Sequence, residues 1–350
     1  MIQVKKEGIL LAKTTYNFEK DGVLNPAAIR EGGVVHLFYR AVSSGNHSCI
    51  GYCMLEGPLH IKNRLTIPLL SPEFDYESQG MEDPRIVKID NLYYLTYTAF
   101  DGLNAQGCLA VSKDLIHFEK KGIIVPGIKF ADFENLTAYD CYCDLNKKYL
   151  RFNLHNDTLK NDLGKSLIWD KNLIFFPRRI KEKLYFLHRI RPDIQIVGGI
   201  ERIEELTADF YREYFKNFKD HILLTSRFEH EISYVGGGCP PIETEHGWLL
   251  IYHGVRDGLG GYVYSACAAL LDLDNPRKEI ARLPYPLFSP EMDWEKEGEV
   301  NNVCFPTGAV VFDDQLYIYY GAADERIACA SVSFSELINE LTLYIKKDDQ

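Results

Sequence analysis

The chain of 350 residues carries a net charge of −11, which argues against the clustered Lys and Arg surfaces that bind phosphate backbones or anionic membranes. Its 46% hydrophobic content, with 22 Tyr and 19 Phe, rules out disorder and favours pleated strands, on which aromatic rings pack well. Nine cysteines, an odd number scattered from Cys49 to Cys329, do not make a disulfide framework in a chain of this size.

The N-terminal stretch from Met1 to Leu11 has no apolar core of signal-peptide length, and no later run is long enough to span a membrane. A cytoplasmic location follows as an expectation, with a small neutral substrate and neither nucleic acid nor membrane as partner. The close pair Cys141 and Cys143 lacks a second pair or a histidine at zinc spacing, and no other metal motif is present. It reads as structural, and no metal or cofactor is expected.

Self-similarity organises the chain. Five segments share one plan: a proline at a strand entrance, a β run, a polar turn, then an aromatic-rich strand ending in polar or charged side chains. They run from Asn25-Pro26 to Tyr39-Arg40, from Asp83-Pro84 to Tyr97-Thr98, and from Phe176-Pro177 to His188-Arg189. The last two run from Pro240-Pro241 to Tyr252-His253 and from Phe305-Pro306 to Tyr319-Tyr320. Asp90-Asn91 is a hairpin signal, and the proline after Asp83 predicts extended backbone there, with the carboxylate aimed from a strand entrance. A longer repeat precedes two units: Ser71-Pro72-Glu73-Phe74-Asp75-Tyr76-Glu77 matches Ser289-Pro290-Glu291-Met292-Asp293-Trp294-Glu295.

Most units continue into a further strand, so the pattern predicts an all-β chain, a single five-bladed β-propeller over residues 1–350. Two insertions interrupt it, one over 112–168 and one near 201–220. In the second, Ile203, Leu206, Phe210, Tyr214 and Phe218 recur at helical spacing, predicting a helix that covers the rim or meets a second copy in a homo-oligomer. Ser333-Phe334-Ser335-Glu336 is a capping box opening a short C-terminal helix.

Equivalent positions of propeller repeats meet in one channel, which turns the repeat into a site prediction. The positions that converge include Asn25, Arg40, Asp83, Asp101, His188, Arg189, Tyr252, His253 and Asp324, with Glu82 and Arg85 flanking Asp83. Carboxylates, amides, imidazoles and aromatic hydroxyls in one funnel suit a sugar, whose hydroxyls each ask for a donor or acceptor.

Met81-Glu82-Asp83-Pro84-Arg85, Leu187-His188-Arg189, Pro240-Pro241-Ile242, the run from Trp248 to Val255 and the run from Tyr320 to Asp324 resemble glycoside hydrolase family 130. That family comprises five-bladed propellers acting on β-mannosides. The resemblance implies an inverting single displacement at the anomeric carbon of a β-linked mannose, with Asp83 as general acid acting through a ring hydroxyl. It also implies that Asn25, Arg40 and Asp324 hold the mannose. Family phosphorylases attack with inorganic phosphate held by cations that match Lys171, Arg189 and the third residue after the Pro-Pro pair.

That third residue is Glu243, where a phosphorylase typically has lysine. A carboxylate there would repel phosphate and could activate water, and Glu201 looks like a second glutamate of the family's hydrolytic branch. The expectation is therefore an inverting exo-β-mannosidase for β-1,2 linkages on manno-oligosaccharides, with Glu243 or Glu201 as base. The alternative is a β-mannoside phosphorylase with inorganic phosphate as co-substrate at Lys171 and Arg189. A third reading is a non-catalytic mannan-binding protein.

Overall fold

The computed structural model describes residues 2–138, 147–153 and 166–345; the Cys141 and Cys143 pair lies outside them. The chain is mostly β, arranged as antiparallel meanders. The first meander comprises Gly22–Glu31, Val34–Ser43, His47–Glu56 and His60–Arg64; the second comprises Gly80–Ile89, Leu92–Phe100, Ala105–Ser112 and Phe118–Val125. A single parallel bridge, Ser48 to Gly80, joins these two into one eight-stranded sheet. The third holds Lys171–Phe175, Leu184–Arg189, Ile194–Ile200 and Ile222–Leu224. The fourth holds Tyr234–Gly237 and Ile242–Thr244, both paired to Gly247–Gly258, followed by Gly261–Leu271 and Glu279–Arg282. In the fifth, Cys304–Phe312, Gln315–Ala322 and Arg326–Ser333 are completed by the N-terminal strand Lys5–Leu11.

Apolar residues on both faces of these sheets pack between neighbours. Leu37 and Tyr39 of the first meander meet Val310 and Ile327 of the fifth, while Phe38 and Ile50 meet Leu95 and Ala110 of the second. Three further clusters join second to third, third to fourth and fourth to fifth. The first strands also touch in sequence, Gly22–Glu31 against Gly80–Ile89, that strand against Lys171–Phe175, and that one against Tyr234–Gly237.

A buried clasp recurs in four meanders. A glutamate from a short helical turn accepts a tyrosine hydroxyl of the second strand and pairs with a cation of the outermost strand. The sets are Glu19 with Tyr39 and Arg64, and Glu77 with Tyr97 and Lys120. The others are Glu231 with Tyr252 and Arg282, and Glu295 with Tyr320 and Lys6. The repeated Ser-Pro-Glu motifs are the turns carrying Glu77 and Glu295, whose second carboxylate oxygen also accepts two backbone N–H groups. A buried carboxylate is tolerable only with such full pairing.

Three sequence expectations are corrected. Pro177 follows the third meander's first strand rather than opening it, and Pro240 and Pro241 interrupt the fourth meander's, because proline has no N–H for the ladder. Asp83 is not extended but left-handed, with φ 49°. The insertion near 201–220 forms one α-helix, Ala208–Lys216, between short turns, and it packs inward: Tyr214 and Phe218 are buried against Phe133 and Tyr149. The C-terminal helix Phe334–Thr342 starts as expected, with the Ser333 hydroxyl accepting from Glu336 N–H.

Candidate active site

Where the first strands begin, five meanders supply walls to a cavity of about 150 Å³. The first meander contributes Asn25 and Arg40, the second Asp83, and the fifth Phe305 and Asp324. The third contributes Lys171, Asn172, Arg189 and Arg191, and the fourth Tyr234 and Tyr264. Asn25, Asp83 and Asn172 each sit at a register shift with φ of 51°, 49° and 55°. Asn and Asp tolerate this left-handed region best, and the bulge it makes turns the side chain out of the strand's alternation. Asn25 Nδ2 donates to Asp83 Oδ1 at 2.7 Å, which fixes one carboxylate oxygen of Asp83.

Glu82 lies buried beside Asp83 and bridges two cations, Arg40 at 2.8 Å and Lys171 at 2.8 Å. Burial works against its charge, but Arg40 and Lys171 outweigh it and hold the carboxyl down to about 2. Asp324 goes the other way. Burial, with the Asp83 and Glu82 charges adding, overcomes the pull of Arg40 and lifts its carboxyl to about 6. The buried Glu82 and the cavity-lining Asp324 thus differ in proton affinity.

The opposite chemistry sits on the third meander. Arg189 is buried, its guanidinium pushed down by burial and then by Arg191, and among the described residues neither arginine has a carboxylate partner. Both arginines stack over the Tyr234 ring, whose hydroxyl meets that of Tyr264. Behind them, His253 is fully buried, and burial, then Arg189 and Arg85, push its imidazole well below its usual range. Among the described residues, the Asn172 amide also has no hydrogen-bond partner. Paired cations with neutral donors around them suit an anion, for which charge-assisted hydrogen bonds replace the lost hydration.

Several expected residues are not brought there. Glu243 pairs with Trp248 near the hairpin end of its strand and binds Arg178 at 2.5 and 2.7 Å, with its side chain 46% exposed. Glu201 is an exposed partner of Lys183 at 2.6 Å, its side chain 66% exposed. Neither lines the cavity. Strand alternation turns Tyr252 and His188 away from the channel, Tyr252 into its clasp and His188 onto Asp170. Asp101 accepts from the N–H groups of Leu103 and Asn104 and shapes its own loop. Arg85 is buried behind the cavity, donating to the carbonyls of Asp83, Pro84 and Gly238.

Sequence reasoning missed Arg191, Asn172, Tyr234 and Tyr264. Arg191 was legible, since it stands two residues from Arg189 and shares its side of the chain. Asn172 was hidden by taking Pro177 as the strand entrance.

Carboxylate and amide acceptors share this cavity with a cluster of cations, a lining compatible with carbohydrate chemistry. A family model described as β-1,4-mannooligosaccharide phosphorylase matches residues 11–343, and the chain belongs to this family, glycoside hydrolase family 130. It is 35% identical to a 1,2-β-oligomannan phosphorylase of Thermoanaerobacter over 352 residues, 96% of this chain and 99% of the relative. A β-1,2-mannobiose phosphorylase of Thermoanaerobacter is 33% identical, covering 95% and 97% of the two chains. Among solved structures, a Listeria innocua β-1,2-mannobiose phosphorylase superposes with a TM-score of 0.72 at 22% identity, covering 98% of this chain and 100% of that one. These relatives overturn the expectation of a hydrolase: they are named as phosphorylases, and the two glutamates on which that expectation rested lie away from the cavity.

Proposed function

We propose that this protein is a β-1,2-mannoside phosphorylase, releasing mannose 1-phosphate from a manno-oligosaccharide with inorganic phosphate as nucleophile. The observation that carries the reading is the wall of Lys171, Arg189 and Arg191, in which, among the described residues, the two arginines have no carboxylate partner. Phosphate held there attacks the anomeric carbon while the bond to the leaving sugar's oxygen breaks from the opposite face, so the configuration inverts. Asp83, held by Asn25, supplies the proton that the leaving oxygen takes, directly or through a ring hydroxyl. Arg40 and Asp324 bind the mannose hydroxyls, and Glu82 ties Arg40 to Lys171 so that the sugar and anion sites keep a fixed spacing.

We also read the five meanders as blades of a five-bladed propeller. The apolar clusters between each successive pair, including first with fifth, support this, as does Lys6 taking the outer-strand cation position in the last clasp. Incubation with β-1,2-mannobiose, with and without inorganic phosphate, tests the function. Sugar phosphate formed only when phosphate is present supports it; free mannose formed equally in both overturns it.

A further inference from the structure

Among the described residues, the third meander shows no clasp of the kind found in the other four. His188 occupies the second-strand position held elsewhere by Tyr39, Tyr97, Tyr252 and Tyr320, and its carboxylate partner is Asp170, the residue just before Lys171. His188 Nδ1 lies 2.5 Å from Asp170 Oδ2, and Nε2 lies 2.6 Å from the hydroxyl of Tyr214, on the helix Ala208–Lys216. All three are buried, at 2%, 1% and 2% exposure for Asp170, His188 and Tyr214. Among the described residues, no Lys or Arg pairs with Asp170.

The position of this break in the pattern gives it meaning. Arg189 follows His188 and, by alternation, points to the other side, into the cavity; Lys171 faces Arg189 in register across the two strands. The bond from His188 to Asp170 therefore ties the strands together at the residues flanking both cations. Those cations stand beside Arg191, and like charges so close push one another apart. A clasp of the usual kind would add a further Lys or Arg behind them. An imidazole supplies the donor without requiring that extra charge.

We propose that Asp170, His188 and Tyr214 form a positioning relay that holds Lys171 and Arg189 for the inorganic phosphate nucleophile, an inference that rests on the phosphorylase reading above. The helical insertion is thereby part of the anion site, since its Tyr214 backs the ring that orients it.

The test measures the affinity of the full chain for inorganic phosphate by calorimetry, alongside KM for phosphate and for β-1,2-mannobiose. His188→Phe removes both ring nitrogens, and Tyr214→Phe removes a single hydroxyl should the first variant fold poorly. Tyr97→Phe breaks an ordinary clasp and serves as the comparison. The relay predicts that phosphate binding weakens about tenfold in His188→Phe and about threefold in Tyr214→Phe, with KM for the mannoside little changed. Tyr97→Phe should lower the melting temperature and leave phosphate affinity alone. Unchanged phosphate affinity in folded His188→Phe or Tyr214→Phe overturns the relay. Should the wild type bind phosphate and lose that affinity in these variants yet form no sugar phosphate, the relay stands and the phosphorylase reading falls. A wild type that does not bind phosphate overturns both.

Discussion

Asn25 and Asp83, 58 residues apart, occupy the same left-handed bulge in successive meanders, and the amide of one donates to the carboxylate of the other at 2.7 Å. Asp83 itself lines the cavity. Asp83→Asn keeps the shape but cannot deliver a proton, so turnover should fall by about 10²–10⁴-fold while oligosaccharide binding persists. Rates and calorimetric affinities on the same preparation check this; full turnover in the variant would remove Asp83 from the chemistry.

Glu82→Gln leaves Arg40 and Lys171 without their shared counter-ion. Breaking a buried ionic bridge costs roughly 3–5 kcal/mol, so the variant should unfold at markedly lower denaturant concentration at pH 7. Because the folded carboxyl is held down to about 2, the stabilisation is present above the unfolded value near 4.5 and is lost as pH falls through about 2. Denaturant titrations from pH 7 to pH 2 should show the gap between wild type and variant closing at the acid end.

Asp324 carries the opposite sign. Its folded carboxyl, lifted to about 6 by burial and the neighbouring negative charges, lies above the unfolded value of 3.8. Its contribution is therefore most favourable below about pH 4 and is lost as pH rises through about 6. Asp324→Asn should be more heat-stable than wild type at pH 7 by up to about 3 kcal/mol, with most of that gap gone at pH 4, as read by thermal melts. Its activity should nonetheless drop, since the mannose loses an acceptor.

Glu243→Gln and Glu201→Gln touch only exposed ion pairs, with Arg178 and Lys183. Turnover should stay within about twofold of wild type for both, as for most surface substitutions. A loss of several orders of magnitude in either would restore a catalytic glutamate to the mechanism.

Much of the scaffold was legible because its signals are local and repeated. Asp90-Asn91 announced a hairpin and both residues are left-handed there, while the Ser-Pro-Glu repeats became the turns bearing Glu77 and Glu295. Asn25, Asp83, Arg40, Lys171, Arg189 and Asp324 were picked from convergence or resemblance, and all line one cavity. What failed depended on which way a side chain faces. Tyr252 and His188 stand where the repeat predicts site residues, but a period of two sends them into braces. Glu243 was read from its spacing after Pro240-Pro241, whereas those prolines break the strand and place it toward the hairpin end. Its charge consequently said nothing about the nucleophile.

The most direct test of the central claim is to follow β-1,2-mannobiose with inorganic phosphate by ³¹P and ¹H nuclear magnetic resonance from the first minutes of reaction. An inverting attack by phosphate predicts α-mannose 1-phosphate and free mannose in equal amounts as the initial products. Two mannose molecules per disaccharide, with no phosphorus signal shifting and no dependence on phosphate, would contradict it.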